Sequence, residues 1–135
     1  MAALTDDRIA EKKMRPVPIK TVREVASGAS TVFRNALVGV RDSDGKVEPL
    51  SASGTYTQIL LSAGRHEAGE RGEFLQGAIV EALTDFAADA SHNGDEVFGI
   101  DDQTVTDAQS ASEPVAGTVH SVINGGRVFL DMRGA

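Results

Sequence analysis

The hydrophobic positions of this chain come in short runs that alternate with polar ones and break at Gly, Asp, Asn and Ser. Ile19-Lys20-Thr21-Val22 mixes apolar and polar residues and reads as a strand. Val32 to Val40 is mostly apolar, interrupted by Arg34-Asn35 and with Gly39 inside, which predicts a strand carrying a bulge or a close backbone approach. Asp42-Ser43-Asp44-Gly45 is a tight-turn signal, so Val38-Gly39-Val40 and Lys46-Val47-Glu48 read as the arms of a hairpin. Ser51 to Thr55 reads as a loop and Tyr56 to Ser62 as the next strand, followed by a polar loop over 63–72. Residues 74–83 (FLQGAIVEAL) fit both periods; Ala78-Ile79-Val80 and Gly77 favour one strand there, with a short helical turn over Asp85–Ala90. Val97 to Ile100 and Thr104 to Thr106 are brief extended pieces. Val115 to Ile123 and Arg127 to Met132, joined by Asn124-Gly125-Gly126, form the clearest hairpin, with Val128, Leu130 and Met132 on one face toward the core.

Many short strands separated by turn residues predict a mainly β protein: a small β-barrel or β-sandwich with at most one short helix. Pro16 and Pro18 exclude a regular helix over the start of the chain. Residues 1–20 therefore read as an extended N-terminal arm, and residues 21–135 as one compact β domain.

Composition narrows the chemistry. The chain has no Cys, so neither a disulfide framework nor a thiolate metal site is expected. No run approaches the ~18 apolar residues of a membrane span, and the N-terminus lacks the apolar core of a signal peptide. Synthesis in the cytoplasm, without membrane partners, is the expectation. The net charge of −7 is unevenly spread. Between Arg71 and Arg127 there is no Lys or Arg, whereas residues 1–24 hold Arg8, Lys12, Lys13, Arg15, Lys20 and Arg23. An acidic body repels phosphates, so nucleic acid is not an expected partner. A basic arm on that body suits an acidic neighbour, or else a solvated terminus.

No catalytic constellation is legible. His66, His92 and His120 are far apart and belong to different elements, which gives no metal motif. Asp101 and Asp102 are adjacent, so their side chains diverge, and a turn role is expected for them. Asp42-Ser43-Asp44-Gly45 lacks the later ligands of a calcium loop. Ala63-Gly64 and Gly69-Glu70-Arg71-Gly72 lack the Lys-Ser/Thr of a phosphate loop. Ser27, Ser30 and Ser121 occupy no nucleophile elbow. A non-enzymatic protein without cofactor or metal is the expectation.

Three sets of residues carry a family likeness. They are the opening Met1-Ala2-Ala3-Leu4-Thr5-Asp6-Asp7-Arg8; the strand ending Asn35-Ala36-Leu37-Val38-Gly39-Val40; and, in order, Asp101-Asp102-Gln103-Thr104-Val105-Thr106, Pro114-Val115-Ala116-Gly117-Thr118-Val119 and Gly126-Arg127-Val128-Phe129-Leu130. In these the chain resembles the small head-decoration, or capsid-cement, proteins of tailed bacteriophages. The likeness departs from the family between Ser62 and Ala90, where only Arg71-Gly72-Glu73-Phe74 echoes the pattern. It implies a virion structural protein, often a homotrimer, that sits on the outer capsid surface and bridges major capsid protein subunits. Leu4, Arg8, Ile9, Lys12, Lys13, Met14, Arg15 and Val17 are then the candidate partner-binding residues. Another phage component (tail, fibre or head-tail adaptor) is the competing reading. A carbohydrate-binding module is disfavoured by the scarcity of aromatics, with one Tyr and no Trp.

Overall fold

The structure, a computed structural model, describes residues 3–10, the backbone of 12–13, and residues 17–134. The fold is mainly β. Its strands in chain order are β1 (Lys12–Lys13), β2 (Ile19–Glu24), β3 (Leu37–Arg41), β4 (Val47–Pro49), β5 (Tyr56–Ser62), β6 (Arg71–Gln76), β7 (Ile79–Thr84), β8 (Glu96–Gly99), β9 (Thr104–Thr106), β10 (Val115–Asn124) and β11 (Arg127–Asp131). A single 3₁₀ turn, Ala90–His92, is the one helical element among the described residues.

The strands form two sheets. In one, β7, β11, β10, β8 and β9 follow in order, and β9 pairs back onto β7 in parallel (Leu83 with Thr104, Thr84 with Val105). That pairing closes a small five-stranded barrel. β1 lies beside the first half of β7, Lys12 opposite Val80 and Lys13 opposite Ile79. The second sheet has the order β2-β6-β5-β3-β4. It curls enough for Val25, just past β2, to bridge to Val47 of β4.

Alternation along β3 and β5 explains how the two sheets share a core. Leu37 and Leu61 join the barrel residues Val80, Ala82, Val97, Val119, Val128 and Leu130 in one apolar cluster. Their chain neighbours Val38 and Leu60 point the other way, into a second cluster with Val25, Val32, Val40, Val47 and Phe74. Both faces of these strands are buried, which is why they read as continuous apolar runs.

The tight turns fall where the sequence places them. Val40 pairs with Val47 and Gly39 with Glu48, and β10 pairs with β11 across Asn124–Gly126. Val128, Leu130 and Met132 are buried as expected. Gly39 lies under the Tyr56 ring, where a Cβ would overlap it, and the β3–β5 register shifts beside it, between Val40 and Arg41.

Three expectations need correction. The single strand over 74–83 is two strands, because Gly77 takes φ 77° and turns the chain between sheets. The strand over 32–40 begins only at Leu37; Val32 makes an isolated bridge to His66, and Asn35 sits at φ 64° in the turn between. The helical turn lies at 90–92 rather than 85–90, because Asp89 caps it by accepting from the Ser91 N–H (2.9 Å).

Candidate functional site

The N-terminal segment is extended but runs against the body. The Leu4 N–H donates to Asp102 Oδ1 (2.9 Å), and the Leu4 side chain packs on the second apolar cluster. Asp7 Oδ1 accepts from the Arg34 N–H (2.9 Å). Arg8 Nε donates to the Asn35 carbonyl (2.9 Å), and its Nη1 donates to the Glu81 carbonyl (2.8 Å). Asn35 Nδ2 returns a bond to the Arg8 carbonyl (2.8 Å). Arg8 thus links the turn before β3, in the second sheet, to β7 of the barrel. Ala10 belongs to the barrel's apolar cluster.

Burial sets the electrostatics of this seam. Desolvation pushes the Arg8 guanidinium down to about 10, against the opposing pull of Glu81 and Asp102. Desolvation also raises the Asp102 carboxyl, partly offset by the bond from Leu4. Asp101, its neighbour, instead accepts from the Gln103 N–H (2.9 Å), the turn role expected of it.

The candidate partner-binding residues therefore divide. Leu4 and Arg8 are engaged with the protein's own body. Ile9 is fully exposed and Val17 is 75% exposed. Lys12 and Lys13 pair through their backbone with β7. Met14 and Arg15 lie outside the described residues. Ile19, an apolar residue of the same arm that the sequence also marks as an anchor, is 63% exposed on β2, and Val22 (53%), also on β2, is an exposed apolar residue that the candidate set omits.

The remaining polar features hold structure. Glu113 accepts from the N–H groups of Ser110 (2.9 Å) and Ala111 (2.7 Å), and these bonds, the Ser110 one first, draw its carboxyl below the usual range. His92 bonds back to the Asp89 N–H through Nδ1 (3.1 Å) and completes the cap of the 3₁₀ turn. His66 packs on Phe74, with ring centroids 5.5 Å apart. Among the described residues no group of three or more His, Asp or Glu converges as metal ligands. An open cleft of about 420 Å³ is lined by Tyr56, Gln58, Ile59, Ser112, Pro114 and Val115 among others, and no Asp, Glu, His, Lys or Arg lines it. The Tyr56 hydroxyl there is raised, chiefly by burial, and already bonds Ser51 and Glu48. Among the described residues no helix is long and apolar enough to cross a membrane.

No protein-family model matches the chain, and no curated protein matches it.

Proposed function

We propose that the protein is a non-enzymatic virion component that decorates the outer surface of a tailed-phage capsid and bridges major capsid protein subunits. One observation carries the reading. The three ordered segments that resemble decoration proteins, 101–106, 114–119 and 126–130, supply β9, β10 and β11 of the closed barrel and the turn that holds Asp102. The likeness thus falls on three strands of one sheet rather than on scattered residues.

Ile9 and Val17 offer apolar contact to a capsid surface, and Ile9 directly follows Arg8, which is bonded to the body. A pre-positioned segment loses little entropy on docking. Many copies on one shell gain avidity from repetition. The resemblance adds a homotrimer as the expected grouping.

The test is co-sedimentation with expanded, undecorated capsids of the cognate phage, comparing the intact protein with the Ile9→Ser/Val17→Ser variant. Saturable binding at a fixed ratio to the major capsid protein, weakened in the variant, is the expected result. Absence of binding to any capsid state sinks the decoration reading.

A further inference from the structure

We infer that Asn124 is a site of self-modification, independent of any role on a capsid: its side-chain amide closes on the Gly125 nitrogen, loses ammonia and is reopened by water to an acid.

The chain has three Asn, and two of them, Asn93 and Asn124, precede a glycine. Asn is a thermolabile residue, and a following Gly leaves the next backbone nitrogen without a side chain to shield it. Sequence alone ranks the two pairs as equals. Both pairs are exposed, so burial does not separate them either.

Their hydrogen bonds do. The attacking atom is the backbone nitrogen of the glycine. The Gly94 N–H donates to the Val119 carbonyl (2.8 Å), which ties that nitrogen to β10. Among the described residues nothing accepts from the Gly125 N–H, so its nitrogen is open to solvent base.

The atom under attack is the asparagine Cγ, and negative charge builds on Oδ1 as the ring closes. At Asn124 the Gly126 N–H donates to that oxygen (2.9 Å). A backbone donor already aimed at the developing oxyanion favours the step. The same bond keeps the side chain folded over its own turn, beside the Gly125 nitrogen. Among the described residues no donor holds the Asn93 side chain in this way.

The step balances with water alone. The Gly125 N–Cγ bond forms, the Cγ–Nδ2 bond breaks, the Gly125 proton passes to solvent base, and ammonia leaves with a proton from water. Water then opens the succinimide ring. Cleavage at Cγ gives Asp, and cleavage at the backbone carbonyl gives isoaspartate, which adds a methylene to the main chain. Either product places a carboxylate opposite Arg127. Arg127 Nη1 otherwise pairs with Glu81 (2.6 Å) and ties β11 to β7. Isoaspartate also lengthens a turn whose Gly125 and Gly126 carbonyls accept from the Ala88 and Thr84 N–H groups (3.0 Å each).

The test is incubation of the purified protein at mildly alkaline pH, followed by peptide mass spectrometry, with the folded chain compared to the chain in denaturant. In the folded protein Asn124 should convert about tenfold faster than Asn93, the effect of a hydrogen bond blocking one nitrogen and another assisting at the other site. In denaturant the two rates should converge. A Cβ at position 125 meets nothing within 4 Å, so Gly125→Ala should keep the wild-type denaturation midpoint. Its methyl crowds the attacking nitrogen and should slow conversion at Asn124 about tenfold. Asn93 converting as fast as Asn124 in the folded protein overturns the inference. So does a preference for Asn124 that persists in denaturant, since the contacts of the fold would then not be its cause. An Asn124 that stays intact in the folded protein while the denatured chain converts overturns it as well.

Discussion

The barrel and the second sheet are built from strands of similar length and composition, yet they finish their edges differently. β9 returns to β7 and leaves the barrel with no unpaired strand around its ring. The second sheet curls until Val25 meets Val47 and Lys46 pairs with Glu24, and the earlier part of β2 has no strand paired on that side among the described residues. Closure removes an edge altogether, whereas an open strand must be blunted by charge or used. β2 carries Lys20, Arg23 and Glu24 but also Ile19 and Val22, both more than half exposed. A closed unit can supply rigidity, and the open one can supply contact. Arg8 ties them together.

The largest effect should come from breaking the closed unit. Leu130 is fully buried inside the barrel on β11, between β7 and β10. Leu130→Ala should cost about 2–5 kcal/mol of unfolding free energy, read by chemical denaturation. A loss as small as that of a surface change would mean that the barrel is loosely packed.

Next is the seam. Arg8→Ala removes the donors to the carbonyls of Asn35 and Glu81 and leaves those acceptors short of a partner. About 2–3 kcal/mol is expected from charged-donor hydrogen bonds of this kind. If the two units are coupled through Arg8, the variant should also lose cooperativity and unfold with a lower m-value.

Asp102 sharpens the same seam through pH. Burial raises its carboxyl above the ordinary value of 3.8, so the folded state holds this proton at pH values where the unfolded chain has released it. Its contribution to stability is therefore largest below about 3.8 and is lost as pH rises through the raised value. Asp102→Asn keeps an acceptor for the Leu4 N–H and cannot titrate. The wild type should gain on this variant as pH falls from neutral, a trend opposite to that of Asp131, whose carboxyl is lowered chiefly by its bonds to Arg133. A difference that is flat with pH would show that Asp102 is not desolvated.

How far the sequence reveals this arrangement depends on whether a feature is local. The turns at Asp42–Gly45 and Asn124–Gly126 were legible because short-range backbone chemistry decides them. The division of residues 74–83 was not, because an apolar run reads the same whether its halves lie in one sheet or two. Only the tertiary fold sends Phe74 to one cluster and Val80 to the other. The N-terminal segment defeats hydropathy outright. Arg8 goes inside because its guanidinium finds backbone carbonyls on both units, and Ile9 is left outside because the extended chain turns its next side chain away. The clustering of charge before residue 24 was visible, and its split into a pinned part and an exposed part was not.

The smallest effect on the fold is expected where the contrast between the units matters most for binding. Ile9 and Val17 touch solvent across most of their surface. Ile9→Ser and Val17→Ser should each change unfolding free energy by no more than about 0.5 kcal/mol. A buried residue mutated in the same way would lose several times that. If these residues serve contact, the two variants should keep wild-type denaturation midpoints and still bind capsids less well. A destabilisation matching that of Arg8→Ala would place their side chains against the body instead, and would move the contact surface away from the N-terminal segment, toward the exposed Ile19 and Val22 of β2.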